Sequence, residues 1–275
     1  MFTATVILLL FFGFLIYKNQ EHAILFAKKL PQDWIPTINY RHEEIFVEIK
    51  DKNKDLKLNA ILFKATRNVK NSLVLYYHGN SGNMKSVEDY AISFLENGFD
   101  ILVMDYRGFG KSEGIINKQE DLLDDCVFWY DWIKSNKEYK EIVIVGKSLG
   151  TGLATYVASK RESNMLMLIT PYDKLIEVGK NLYPWFPVNF FMKYKIPSIN
   201  WIGQVNQPIR IIHGTNDETI HPQRAKALFE KALELGKNVE MVWLDAAKHN
   251  NLQMYPQYHE WIKNCLEESE KFNQL

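Results

Sequence analysis

The 275-residue chain has little cysteine, no net charge and no complete phosphate-binding loop. Its two cysteines, Cys126 and Cys265, stand far apart and form no CxxC pair, which excludes a disulfide framework and a zinc-ribbon spacing. Lys and Arg number 33, as do Asp and Glu. No basic excess therefore points to nucleic acid, and no acidic tail is visible. There is no internal repeat and no low-complexity tract. The tripeptide Gly-Lys-Ser occurs twice, at 110–112 and 146–148. A phosphate loop of the form G-x-x-x-x-G-K-[ST] would need glycine at 105 or 141. Those positions hold Asp105 and Glu141, so both matches fail at the element that would cradle the phosphates. The dinucleotide fingerprint G-x-G-x-x-G fails as well, because Ser148 stands where its second glycine belongs.

What is present is a 47% apolar chain long enough for one large domain with a substantial core. Residues 1–17 carry no charged side chain. As a helix this run would span about 25 Å, close to the roughly 30 Å hydrocarbon core of a bilayer once Lys18 and Asn19 extend to the interface. It has no basic residue before Lys18 and no small-residue cleavage site, so it reads as a retained anchor over residues 1–19 rather than a signal peptide. Lys18, Lys28 and Lys29 follow the span and would place the remaining chain on the cytoplasmic side. Residues 20–40 read as a linker or a surface-lying amphipathic segment. From 41 to 275, apolar runs of strand length alternate with segments of helical period. The strands expected are 44–49, 58–65, 72–79, 100–108, 141–146, 164–170, 208–214 and 239–245. Helices are expected over 86–98, 118–136, 151–161, 222–236 and after Pro256. This alternation predicts an α/β domain with a mostly parallel sheet and helices on both faces. Residues 171–205 break the pattern. They carry four prolines and a dense run of aromatic residues from Tyr183 to Tyr194, as a short lid insertion would.

The stretch IVIVGKSLGTG (142–152) places Gly146 and Gly150 on either side of Ser148, after a strand and before a helix. That is a nucleophile elbow: the turn holds the serine in strained backbone, so residues two before and two after it must lack Cβ. The N–H of Leu149, at the start of the helix, can bind a developing oxyanion. In this architecture the acid and the base follow the serine in chain order. His249 lies in a polar loop after the strand 239–245, whereas His213, His221 and His259 fall at a strand end, a helix start and within a helix. Asp217 lies in the loop after strand 208–214. Asp173 and Asp245 are its rivals. Asn80, in YYHGNSGN after strand 72–79, is the candidate for the second oxyanion donor, with Gly79 allowing close approach.

The segments HGNSGN, DYRGFGKSEG, GKSLG, HGTNDETI and KHNN, in that order, resemble the α/β-hydrolase superfamily over residues 45–270. DYRGFGKSEG and YPWFPVNFF are similar to its membrane-anchored branch related to the fungal bud-emergence protein. The resemblance implies a serine hydrolase with Ser148 as nucleophile, Asp217 as acid, His249 as base, and Asn80 and Leu149 as oxyanion donors. It assigns Asp105 and Arg107 to a structural loop. Lys147 stands where that branch often has Arg, and Lys248 where a glycine commonly precedes the histidine. The implied reaction is cleavage of an acyl ester through an acyl-enzyme, with an acyl-protein thioester as the alternative, and a non-catalytic binding protein as a more distant one. No metal and no organic cofactor is needed. The partners expected are a small-molecule or lipid acyl substrate or an acylated protein, and a membrane through the anchor, but no nucleic acid.

Overall fold

The computed structural model describes residues 17, 25–51, 54–80, 82–185 and 187–272. Eight strands form one sheet: β1 His42–Asp51, β2 Lys54–Phe63, β3 Ser72–Tyr77, β4 Asp100–Asp105, β5 Glu141–Lys147, β6 Met165–Ile169, β7 Ile209–Gly214 and β8 Val239–Leu244. Their spatial order is β1-β2-β4-β3-β5-β6-β7-β8. β1 and β2 form a hairpin, and β2 joins β4 antiparallel. All pairings from β4 through β8 are parallel. The patterning explains the difference. β3, β4, β6 and β7 are buried along their whole length, as strands covered on both faces must be. β1 alternates charged and apolar residues and is largely exposed at the sheet edge.

Helices α1 Glu88–Glu96, α2 Gln119–Asn136, α3 Leu149–Ala158, α4 Leu175–Leu182, α5 Val188–Phe191, α6 Ser198–Trp201, α7 Pro222–Glu234 and α8 Pro256–Phe272 cover the sheet and its edge. Successive strand residues point to opposite faces, and this splits the core in two. Leu73, Leu75, Ile142 and Ile144 pack with Trp129 of α2 and with Leu153 and Val157 of α3. Val74, Tyr76, Val143 and Val145 pack with Phe94 of α1 and with Trp261 and Ile262 of α8. Cys126 and Cys265 are free and buried, one in each layer. The chain leaves β3 toward β4 on one side and later returns to pair β5 on the other. A crevice opens at such a switch point, beyond the carboxyl ends of β3 and β5.

Two expectations from the N-terminal half need correction. Among the described residues no helix is long and apolar enough to cross a membrane. The anchor expected over residues 1–19 lies outside the described residues except for Tyr17. The fold therefore stands, over the described residues, as an α/β domain without a membrane-spanning helix. Of the segment expected as a linker or surface-lying amphipathic piece, residues 20–24 lie outside the described residues, and the rest is not helical beyond Leu25. Residues 26–40 hold no helix and lie along the domain as an extended strap. Leu30 N–H donates to Gly110 O at 3.0 Å and Gly110 N–H to Lys28 O at 2.8 Å. Leu25 is buried, and Trp34, Ile38 and Tyr40 pack against the core. These four residues serve the domain's own interior, whereas Phe26 and Ile35 remain exposed. Residues 171–205 contain no strand and fold as α4, α5 and α6 above the crevice.

Candidate active site

β5 runs straight into α3, and the joint is Ser148, with φ 53° and ψ −122°. Few non-glycine residues adopt such angles. The surroundings over-determine them. Ser148 N–H donates to Ile169 O at 2.9 Å, and its own carbonyl accepts from Thr151 N–H at 2.9 Å and Thr151 Oγ1 at 2.6 Å. A Cβ on Gly146 would stand 2.4 Å from Gly150 O, and one on Gly150 would stand 2.0 Å from Tyr77 O. The two elbow glycines are thus required by close approach of backbone, the second of them against β3.

The turn presents Ser148 Oγ to His249, whose Nε2 lies 2.9 Å away. His249 Nδ1 lies 2.7 Å from Asp217 Oδ2. A carboxylate accepts, so the imidazole carries its proton on Nδ1 and offers the Nε2 lone pair to the serine hydroxyl. Asp217 is fixed in turn: its Oδ1 accepts from Thr219 N–H at 2.9 Å and Ile220 N–H at 2.8 Å. Burial alone would raise its carboxyl, but the His249 hydrogen bond and these amides outweigh burial and hold it below the usual carboxylate range.

The rival residues are engaged elsewhere. Asp173 pairs with Arg224 at 3.3 Å, and Asp245 Oδ1 accepts from Thr215 Oγ1 at 3.1 Å. His221 accepts from Gln223 N–H at 3.3 Å and caps α7. His259 bridges Ser93 and the Gln253 carbonyl. His213 is fully buried and donates from Nε2 to Ile220 O at 2.9 Å, with Asp217 Oδ2 3.3 Å from the same nitrogen. Burial lowers its pKa to about 4, so it is neutral at pH 7 and supports the Asp217 loop.

The Leu149 N–H opens α3, where a helix leaves its first amides without intrahelical partners. Gly79 brings the β3 loop against the elbow, a Cβ there falling 3.2 Å from Ser148 Cβ, so the adjacent Asn80 lies beside the serine. Neither the Leu149 nor the Asn80 amide is tied up by a backbone hydrogen bond to the rest of the described fold. Sequence reasoning missed what holds this loop. His78 Nε2 lies 3.4 Å from Asp105 Oδ1, and the same oxygen accepts from Met84 N–H at 3.0 Å. One buried carboxylate thus ties both ends of the 78–84 loop. The aspartate of DYRGFG was visible in sequence, but its distant partners were not. Arg107 packs below, bidentate to Asp125 through Nε at 2.8 Å and Nη2 at 2.6 Å.

Ser148, Leu149, Asn80 and His249 line a cavity of about 270 Å³. Its far wall is apolar: Phe26 from the strap, Leu175, Val178 and Leu182 of α4, and Met192. A larger hollow of about 560 Å³ opens at the opposite, amino-terminal edge of the sheet, near Ile142 and Asn164. It is lined by lysine, arginine and amide side chains and by no histidine, so it offers no serine–base pair. No cluster of three or more His, Cys, Asp or Glu suited to a metal ion occurs among the described residues.

A family model described as the alpha/beta hydrolase fold matches residues 72–191. An uncharacterised protein of Mycobacterium tuberculosis is 28% identical over 221 residues, covering 80% of this chain and 77% of its own. The human alpha/beta hydrolase domain-containing protein 17B is 27% identical over 216 residues, covering 77% of this chain and 71% of its own. Among solved structures, an esterase of Pyrococcus furiosus, Pf2001, superposes with a TM-score of 0.71 at 21% identity, covering 88% of this chain and 98% of the other. The chain thus has the α/β-hydrolase fold, with the family model covering residues 72–191 and the Pyrococcus furiosus esterase sharing its architecture.

Proposed function

We propose that the protein is a serine hydrolase that cleaves acyl esters through an acyl-enzyme. The observation that carries this reading is the unbroken chain Ser148 Oγ–His249 Nε2, His249 Nδ1–Asp217 Oδ2, at 2.9 and 2.7 Å. Ser148 Oγ attacks the ester carbonyl while its proton passes to His249 Nε2. The carbonyl oxygen becomes an oxyanion held by the Leu149 and Asn80 amides, each such donor contributing about 3 kcal/mol at the transition state. Collapse breaks the bond to the alcohol oxygen, which leaves with the proton from His249. Water then attacks the acyl-enzyme by the same route and frees the acid. Asp217 orients the imidazole and stabilises its cation without taking the proton.

The apolar wall of α4, Phe26 and Met192 suits an acyl chain. At about 270 Å³ the cavity lies just below the range of roughly 300–1,000 Å³ usual for sites of drug-sized ligands, which favours short or medium chains over long ones. An acyl thioester presents the same carbonyl, so an acylated protein is the second substrate class. The likeness to the bud-emergence branch rests on the motifs alone and adds no substrate. A panel of esters and thioesters graded by chain length, with a fluorophosphonate label, tests the reading. Wild type should be labelled and should turn over medium-chain esters, and Ser148→Ala should do neither. Equal labelling of both proteins would remove Ser148 as nucleophile. No turnover across the panel would leave a binding protein on the same fold.

A further inference from the structure

Lys147, the last residue of β5, remains without a role in this chemistry. Its ammonium lies 3.2 Å from Asn250 Oδ1 and 4.9 Å from the centroid of the Tyr90 ring. Among the described residues no carboxylate pairs with it within 4.0 Å, although Asp217 acts on it at longer range. The amide oxygen takes one of its three donors, and the aromatic face offers a cation–π contact. Burial lowers its pKa to about 8, the more distant charge of Asp217 only partly opposing this. A half-buried ammonium without a counter-ion is costly to keep unless something compensates it.

The place it occupies gives the compensation a direction. Lys147, Gly79, Asn80 and Asn250 form a shared wall between the apolar cavity and a second one of about 190 Å³. The second cavity continues past the oxyanion loop and is lined further by Tyr76, Ser86 and Tyr90. The buried Tyr76 hydroxyl has no hydrogen-bond partner. Two arms thus adjoin across this wall, an apolar one that holds Ser148 and a polar one with a cation at its mouth that no carboxylate pairs. An ester spans such a pair with its acyl chain in the first arm and its alcohol in the second.

We infer that the second arm is a subsite for the leaving group and that Lys147 selects alcohols bearing an anion, a carboxylate or a phosphate, which it pairs directly. The inference rests on the acyl-ester reading above and names the substrate class for that same site. It makes Lys147 a specificity-determining residue rather than part of the proton relay.

Two matched pairs of probes test it: octanoyl esters of 3-hydroxypropanoate and 3-hydroxypropanamide, and octanoylglycerol 3-phosphate with octanoylglycerol. The quantity read is the ratio of kcat/KM for the anionic to the neutral member of each pair. Wild type should favour the anion in at least one pair, and which pair does so separates carboxylate from phosphate. In Lys147→Gln that ratio should fall about 10- to 100-fold, the worth of one charge-assisted hydrogen bond. Lys147→Arg should keep most of it. Fluorophosphonate labelling of each variant reports that the elbow is folded. A ratio that is the same in wild type and Lys147→Gln, with the neutral esters turned over, overturns the subsite. Failure of wild type to cleave any of the four overturns the hydrolase reading beneath it.

Discussion

Gly150 is the residue where sequence, fold and chemistry press hardest on one position. Its missing side chain is what lets β3 pass 2.0 Å from where a Cβ would sit. Gly150→Ala should therefore push β3 and α3 apart, at a cost of about 1–3 kcal/mol, and displace the Leu149 amide with them. Fluorophosphonate labelling should fall to near the Ser148→Ala level, while circular dichroism still reports a folded chain. His213 governs stability in acid. Its pKa of about 4 in the fold lies below the ordinary histidine value of about 6.5, so the unfolded chain binds the proton first as pH falls. The stability contributed by its neutral form is complete above pH 6.5 and is lost progressively toward pH 4, by up to about 3 kcal/mol. The carboxyl of Asp217, held low, adds its own loss only below the usual carboxylate range. Urea unfolding at pH 7.5 and 4.5 should show the first loss, and His213→Gln should flatten it. Equal pH dependence in both proteins would assign the effect to other groups.

At the scale of elements, α4 is the piece that shapes the proposed acyl arm. Its buried Val178 and neighbouring Leu175 and Leu182 face the cavity, while Tyr183 and Trp185 just beyond it are exposed, Trp185 to 78%. Val178→Trp should fill part of the arm and shorten the preferred acyl chain. Competition between octanoyl and butanoyl esters should shift toward butanoyl by about 10-fold or more, because each methylene left without apolar surroundings costs roughly 0.8 kcal/mol. An unchanged profile would mean that the chain lies elsewhere. The legibility of the sequence also divides by element. The strands β3 to β7 were readable because a doubly covered strand writes itself as a continuous apolar run. The candidate residues Ser148 and Asp217 were readable because each follows such a strand, and His249 because it stands in a polar loop after the next strand in chain order. Residues 25–40 were not, because their apolar side chains fit a surface helix as well as they fit a strap. Only the pairing of Lys28 and Leu30 with Gly110, some eighty residues on, decides between the two.

The whole molecule depends on that long-range closure. The strap seals the loop after β4 as well as lining the acyl arm with Phe26: Lys29 Nζ donates to Ser112 O at 2.5 Å, and Lys111 donates to Trp34 O at 2.8 Å and to Glu44. Deleting residues 1–40 should strip the bonds made by Lys29 and Trp34 and uncover core otherwise closed by Trp34 and Leu25. A loss of about 2–5 kcal/mol, as for truncating one large core side chain, would lower the midpoint of thermal unfolding by about 2–4 °C for each kcal/mol in a domain of this size. A midpoint within 1–2 °C of the full chain, roughly the shift of half a kcal/mol, would show that the strap contributes little. His78, Asp105 and Met84 belong to the same closure: the 78–84 loop was visible in sequence, but these distant supports were not.

The backbone of Ser148 carries a further consequence. Its φ of 53° and ψ of −122° cost a non-glycine residue about 1–3 kcal/mol. Glycine at that point would shed the strain and give back only about 0.5–1 kcal/mol in unfolded-state entropy. Ser148→Gly should thus be the rare substitution in a buried turn that raises the melting midpoint while abolishing turnover. Folding and chemistry make opposed demands on this one residue, and a serine placed there for the architecture alone would be the wrong choice.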